Sequence, residues 1–470
     1  GVHGRCARNS TEAAAAVAGV IPARVKAGFA TGDHAINISL ATISVYLLYF
    51  LTEVAGLRPA LASLVLLVGR GVDAFTDPAM GRLSDLTRTS RGRRRPYFLL
   101  GAVPFGLTFA CLWQDLPGDS QAWRFAAYAG VYVLHALSST VVAVPYMALL
   151  PEMALDYVER TAMNVYRAAA AITGVFVASV AVQPAANWFG GGAVGWGWVG
   201  VVLGVWMVWP WLVVYRVSWE RTGFARRSEA GLVEGLRSVA RHGAYRRLVG
   251  LFLCARIAVD LVGAMFIFYF HYWLGRPGVC PVTMAVMLSA VQVSMPLWLA
   301  LSRRFDKHVL FACGALWWIG VQAVFLAAQP DWPRWVIFAL AAAGGIGYGL
   351  ADLMPLSMLG EVVDADEWAT GERREGVYAG FFTFLRKLGG ATGVFVAGAV
   401  LDVVGFQQGI GQSETVLGAI RLLTAAVPAA FLAVAAWVAW TYPLTRARHA
   451  EILARLAERA AAGARERENI

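Results

Sequence analysis

Charge is what this chain has least of. Asp, Glu, Lys and Arg make up 15% of its 470 residues, whereas 58% are hydrophobic and the mean hydropathy is +0.58. A soluble domain carries about a quarter charged residues, so most of this surface faces something other than water. Cysteine is also scarce: Cys6, Cys111, Cys254, Cys280 and Cys313 show no CxxC and no paired spacing. Neither a disulfide framework nor a zinc site is indicated, and Cys111, Cys254 and Cys313 sit in apolar stretches as small hydrophobes. No Walker motif, ABC cassette or Ser/His/Asp order is present, so the chain reads as neither a primary pump nor an enzyme. The net charge of +10 suggests nucleic acid at first sight. Its arginines, however, gather in short loops between apolar runs, the pattern of cytoplasmic loops facing anionic lipid; no nucleic-acid partner is expected.

What the chain has in abundance is apolar runs of membrane-spanning length, about 20 residues each. They recur near 29–53, 59–83, 97–114, 122–150, 163–186 and 196–216, then near 247–274, 282–302, 309–328, 334–360, 377–404 and 414–441. The reading is twelve transmembrane helices in two halves, 25–216 and 247–442. Between them lies a charged central loop, 217–246, and outside them are tails at 1–24 and 443–470. The AAAAVAGVI run near the start is a weak signal-peptide candidate and is read instead as tail. Alternate loops hold the basic residues: Arg82 to Arg95, Arg160, Arg221 to Arg241, Arg303 to Lys307, Arg373 and Arg374, and the tail from Arg446. The opposite loops hold Arg58, Arg124, Arg276 and Arg334. The positive-inside rule then places both termini in the cytoplasm, in a plasma or bacterial inner membrane. The final tail reads as a basic amphipathic helix, lying at the membrane surface or solvated.

One stretch organises the rest: LVLLVGRGVDAFTDPAMGRLSDLTRTSRGRRRPY, residues 64–97. Arg70, Asp73 and Asp77 fall within an apolar span, and on a helix this spacing sets all three on roughly one face. An ionised side chain at mid-bilayer costs at least ~2.5–3.5 kcal/mol, so two acids there call for a function. Carboxylates this close repel unless a proton or cation joins them. The pair is read as a cation site in a transporter, the alternative being that Arg70 simply pairs with the acids to hold helices together. Pro78 disfavours helical geometry at Asp77 and predicts a kink that frees carbonyls. A six-plus-six layout with a basic central loop fits the major facilitator fold, in which two halves rock about a midplane site.

Particular motifs sharpen this reading. GFATGDHAIN and LLYFLTEVAGL in span one, GRGVDAFTDPAMG in span two and GRRRPYFLLG after it lead to VPYMALLPEMALDYVERTAMNVYR after span four. The second half adds FIFYFHYWLG and MLGEVVDADEWATGERREGVYAGFFTFLRKLGG. In this order they resemble the glycoside–pentoside–hexuronide cation symporters, over nearly the whole chain. The lysophospholipid symporters of animals look like distant members of that group, so the resemblance leaves the substrate open.

The resemblance implies a cation site at Asp73, Thr76, Asp77 and Thr140. Two carboxylates and two hydroxyls make an oxygen cage suited to Na⁺, Li⁺ or H⁺. It implies a coupling role for Lys387, alongside Arg70; the other reading of Lys387 is a snorkelling residue beside Arg386. The family's sugar-binding acid in span one falls on Asn37, one turn from Asp33; that in span four falls on Ala143, and the aromatic platform falls on Met147. Galactoside recognition is therefore not expected, although Asn37 still donates and accepts. Asp33, Asn37, Tyr146, Arg167, Asp260 and Asp352 are the candidate substrate-binding residues, with Asp260 alternatively paired to Arg256 four residues before it. Asp33 and His34 are expected near the cytoplasmic half of span one, and His135 is expected as a hydrogen-bonded core residue. GRLSDLTRTSRGRRRPY resembles the facilitator loop signature, so Asp85 and the arginines after it, with Arg160 and Arg167, are expected to latch onto Glu361, Asp364, Asp366, Glu367, Arg373 and Arg374. GGIGYG at 344–349 lies inside an apolar span and predicts close helix packing rather than a nucleotide loop. The tryptophans, including Trp196, Trp198, Trp317 and Trp318, are expected in interfacial belts or facing lipid.

The sequence thus predicts a cation-coupled secondary symporter. It needs no cofactor beyond transported Na⁺ or H⁺, carries a small polar solute of glycoside type, and works as a monomer among membrane lipids. The alternatives are a lysophospholipid or other amphiphile as substrate, and a non-transporting sensor or scaffold. The desolvation cost of the acid pair argues against the last.

Overall fold

Backbone groups inside a bilayer must be satisfied within the segment, which leaves helices as the solution for apolar runs of this length. The computed structural model describes residues 21–118, 120–154, 156–220, 243–302, 304–371, 375–409 and 411–468. Twelve of its helices are long and apolar enough to span. In the first half these are α1 (Ala23–Val54), α2 (Pro59–Leu86), α3 (Arg95–Leu112), α4 (Gln121–Met153), α5 (Tyr157–Trp188) and α6 (Gly192–Val217). In the second half they are α7 (Gly243–Trp273), α8 (Cys280–Ser302), α9 (Lys307–Ala327), α10 (Arg334–Thr370), α11 (Glu375–Val403) and α12 (Glu414–Trp440). A last helix, α13 (Arg446–Glu468), follows them.

The chain divides into two compact units, Gly1–Arg226 with Gly398–Ile410, and Arg227–Ala397 with Gly411–Ile470. In the first unit α1 packs on α5 and α6, α3 on α4 and α6, and α2 on α4. In the second, α7 packs on α12, α9 on α10 and α12, and α8 on α10. Adding six to the labels of four of these five first-unit pairings reproduces the second-unit pairings, so the halves are structural repeats. The repeat reaches local detail. Both α1 and α7 end in a π turn, Phe50–Val54 and Tyr269–Trp273. Each turn is closed by a left-handed glycine, Gly56 at φ 68° and Gly275 at φ 61°, a conformation open to glycine at no steric cost.

Small residues bring helices into contact. A Cβ at Gly106 of α3 would collide with the Gly204 carbonyl of α6, and one at Gly345 of α10 with the Met287 carbonyl of α8. Gly345 belongs to the GGIGYG run, which is therefore a helix-packing surface.

The structure bears on three further expectations. First, α2 stays helical on both sides of Pro78. Thr76, two residues earlier, turns its hydroxyl onto the Val72 carbonyl at 3.0 Å. Second, Trp198 and Trp317 are exposed, but Trp196 and Trp318 are buried. Trp196 stacks on Trp113 at 5.5 Å, so these rings fill helix interfaces rather than a belt. Third, α13 is neither free nor merely laid on a surface. Its His449 meets Asp364 of α10 at 3.0 Å, and Arg455 lies 5.4 Å over the Trp368 ring.

Candidate cation and solute site

Asp73 and Asp77 stand one turn apart on α2, and α4 brings Thr140 against both. The Thr140 Oγ1 lies 2.9 Å from an Asp77 carboxylate oxygen and 3.4 Å from one of Asp73. It is also 3.3 Å from the Thr76 hydroxyl. Since Thr76 donates its hydrogen to Val72, the Thr140 hydrogen is shared among three acceptors. Within this foursome lone pairs outnumber hydrogens, and the arrangement suits a hard cation. Asp73 is buried and Asp77 half-buried. All four residues expected at the cation site thus lie together.

Arg70 donates to Ser44 Oγ at 2.9 Å. Tyr132 packs against the Gly69 backbone. Sequence reasoning missed it, because an apolar-span tyrosine carries no mark of its partners. Among the described residues no group of three or more His, Cys, Asp or Glu side chains is placed to hold a metal.

The candidate substrate residues divide. Asp33, Tyr146 and Arg167 meet: Arg167 Nε and Nη2 donate to Asp33 at 2.5 and 3.2 Å, and the Tyr146 hydroxyl is 2.6 Å from the same carboxylate. The guanidinium also lies 5.1 Å over the Tyr146 ring. Gly32 leaves room for that ring: a Cβ there would stand 2.8 Å from it. Asn37 does not join, since its amide donates to the Asp33 carbonyl along its own helix at 2.8 Å. His34 faces α5 and α6, with Nδ1 3.2 Å from Thr173 and Nε2 accepting from Trp206 at 3.3 Å. In the second unit Asp260 is paired with Arg256. The Asp352 side chain lies outside the described residues. Lys387, half-buried beside exposed Arg386, is on α11 in the second unit. His135 bonds Ser39 at 2.8 Å and Thr108 at 3.2 Å and stacks on Phe105, as a core histidine does.

Asp85, Arg160, Arg167, Glu361 and Asp364, all expected in the latch, hold partners within their own unit. Asp85 accepts from Arg94 at 2.6 Å, and Arg94 also pairs with Glu152. Arg93 reaches Glu152 at 2.5 Å. The Glu220 carboxylate accepts the backbone N–H groups of Arg93, Arg94 and Arg95 at 2.7, 2.8 and 2.8 Å, capping α3 from the end of α6. Neither Glu152 nor Glu220 stood out in the sequence; an acid beside an arginine-rich loop was the available signal. Arg160, expected in this network, donates instead to the Ala154 carbonyl, and Arg167 is committed to Asp33. In the second unit Glu361 pairs with Lys307 at 2.8 Å and Asp364 with His449. Arg373 and Arg374 lie outside the described residues. Near this cluster, burial first and then Glu361 raise the Tyr442 phenol above its ordinary pKa, so it stays protonated.

Residues 28–446 match the model of a family described as MFS/sugar transport protein. The chain belongs to this family. It is an integral membrane secondary symporter of the major facilitator superfamily and not an enzyme. It is 26% identical to an isoprimeverose transporter of Lactiplantibacillus pentosus, covering 87% of this chain and 86% of that one. It is 27% identical to the sodium-dependent lysophosphatidylcholine symporter 1-A of Danio rerio, covering 90% and 86%. Among solved structures, a bacterial homologue of the lysosomal transporter Spinster, inward-facing and unoccupied, superposes with a TM-score of 0.65 at 14% identity, covering 90% of this chain and 97% of that one. That likeness concerns the fold.

Proposed function

We propose that this symporter binds one Na⁺ at Asp73, Asp77, Thr76 and Thr140 and uses it to carry a small polar solute of glycoside type. One observation supports the cation site above all: a single hydroxyl, that of Thr140, stands within reach of both intramembrane carboxylates. Na⁺ is favoured by the oxygen-only, acceptor-rich set and by the sodium dependence named for the zebrafish relative. The glycoside class is favoured by the family description and the isoprimeverose relative. The amphiphile reading also has support. Ala143 and exposed Met147 stand where sugar symporters are expected to carry an acid and an aromatic platform, and a lysophosphatidylcholine symporter is among the relatives. On this proposal the working units are the halves 25–216 and 247–442, acting as a monomer with both termini on the cytoplasmic, arginine-rich side. Asp33, Tyr146 and Arg167 flank the solute path, Lys387 answers the acids when the cation leaves, and Asp85, Glu361 and Asp364 change partners as the halves move.

The test is thermal unfolding of purified protein in Na⁺ or K⁺, with glycosides, uronides and lysophospholipids added in turn. A ligand at a hundred times its Kd stabilises the folded state by ~2.7 kcal/mol. A Na⁺-specific rise, enlarged by a glycoside, supports the proposal. A response to low pH alone replaces Na⁺ with H⁺, and enlargement by lysophospholipids alone replaces the solute class.

A further inference from the structure

Helix α10 has 37 residues, so it runs about 55 Å, well past a hydrocarbon core of ~30 Å. Glu361, Asp364, Asp366 and Glu367 mark the end that leaves the core. There α13 packs against it, inside the second unit. Ile452 of α13 is buried, as is Leu444 just before the helix. His449 stands one turn before Ile452, with Nε2 3.0 Å from the Asp364 carboxylate. Asp306 accepts the backbone N–H of Arg446 at 2.8 Å, which fixes where the helix starts. Arg455 lies 5.4 Å over the Trp368 ring, and Arg459 donates to the Trp368 carbonyl at 3.4 Å.

These contacts differ in how they respond to acid. Arginine keeps its charge throughout, whereas histidine is the side chain whose charge ordinarily changes between about pH 5 and 8. A carboxylate only accepts, so His449 Nε2 carries a hydrogen in either state. A proton added at Nδ1 turns that hydrogen bond into an ion pair, about twice as strong. The two side chains are 21% and 17% accessible, which limits screening by salt. Around them Glu361 is already paired with Lys307, and Glu451 with Arg448 and Arg455. Asp306, Asp366 and Glu367 favour a cation at this end, and Arg446 opposes it. Tyr442 adds no charge, and His308 is buried with its ring 5.9 Å from that phenol ring. Protonation of His449 therefore adds an attraction present only while α13 is docked, and acid favours docking. We propose that α13 is a pH-sensitive clasp on α10, closed by the proton that His449 gains against Asp364. The pH on this side then sets how firmly a spanning helix of the second unit is held.

The test is hydrogen–deuterium exchange of the full chain in lipid nanodiscs at about pH 6 and pH 8, either side of the ordinary histidine titration. Labelling times are scaled for the intrinsic exchange rate. Peptides within 446–459 are expected to be about threefold better protected in acid, the scale of a partly exposed ion pair. His449→Gln keeps a donor without a titrating charge and is expected to abolish the difference. His449→Lys, charged under both conditions, is expected to show the higher protection at each. Asp364→Asn removes the effect from the other partner and serves as a second variant. Equal protection of the unaltered chain at both pH values would overturn the proposal. A difference that survives in His449→Gln would assign the proton to another group and overturn it as well. The rise in melting temperature with Na⁺ is expected to be unchanged in His449→Gln, so this proposal and the assigned cation site fail separately.

Discussion

The Thr140 hydroxyl of α4 lies 2.9 Å from the carboxylate of Asp77 on α2, fastening two helices at the site where two acids enter an apolar span. If that hydroxyl serves as a ligand rather than a rivet, its chemistry matters more than its shape. Thr140→Ala is expected to weaken Na⁺ binding about 5–10-fold, the scale of one lost polar partner. Thr140→Ser keeps the oxygen and is expected to stay within about twofold. Na⁺ titrations of the melting temperature measure both.

The Asp33–Arg167 pair is buried, with side-chain accessibilities of 11% and 16%. Removing one partner leaves an uncompensated charge, a loss of about 3–5 kcal/mol. Arg167→Ala is expected to lower the melting temperature sharply. Asp33→Asn with Arg167→Gln, which strands no charge, is expected to recover much of that loss. Equal losses in both variants would show that the ion pair is not the source.

Glu220 caps α3 from a distance of more than a hundred residues in sequence, accepting three successive backbone N–H groups. Its carboxylate also faces the positive end of that helix dipole. Glu220→Ala is expected to cost about 1–2 kcal/mol, and Glu220→Gln less. Thermal melts in detergent check the order Ala below Gln below the unaltered protein.

Gly345→Val is expected to separate α8 from α10, because the Met287 carbonyl occupies the space its side chain needs. A collapse in folded yield is the expected outcome, checked by size-exclusion chromatography. A monodisperse protein of normal melting temperature would contradict the packing reading.

Much of the fold was legible because lipid imposes simple rules: long apolar runs must be helices, and intramembrane acids are costly. The closeness of Asp73, Thr76, Asp77 and Thr140 was expected from the family resemblance and helical spacing. Partnerships between distant positions were less visible. Asp33, Tyr146 and Arg167 were each singled out, but nothing in their spacing says that they neutralise one another. Arg58 and Asp402 lie 344 residues apart, and nothing in their spacing relates them. Trp196 and Trp318 were misplaced because tryptophan favours membrane interfaces and helix packing alike. Nothing in the spacing of the arginine-rich loop shows that Glu152 and Glu220 meet it inside the first unit.

The most direct measurement is equilibrium binding of ²²Na⁺ to the purified protein. The account predicts one saturable site in the unaltered chain, lost in Asp77→Asn and in Asp73→Asn while both variants remain folded. Saturable binding that survives both substitutions would place the cation elsewhere and contradict the assignment.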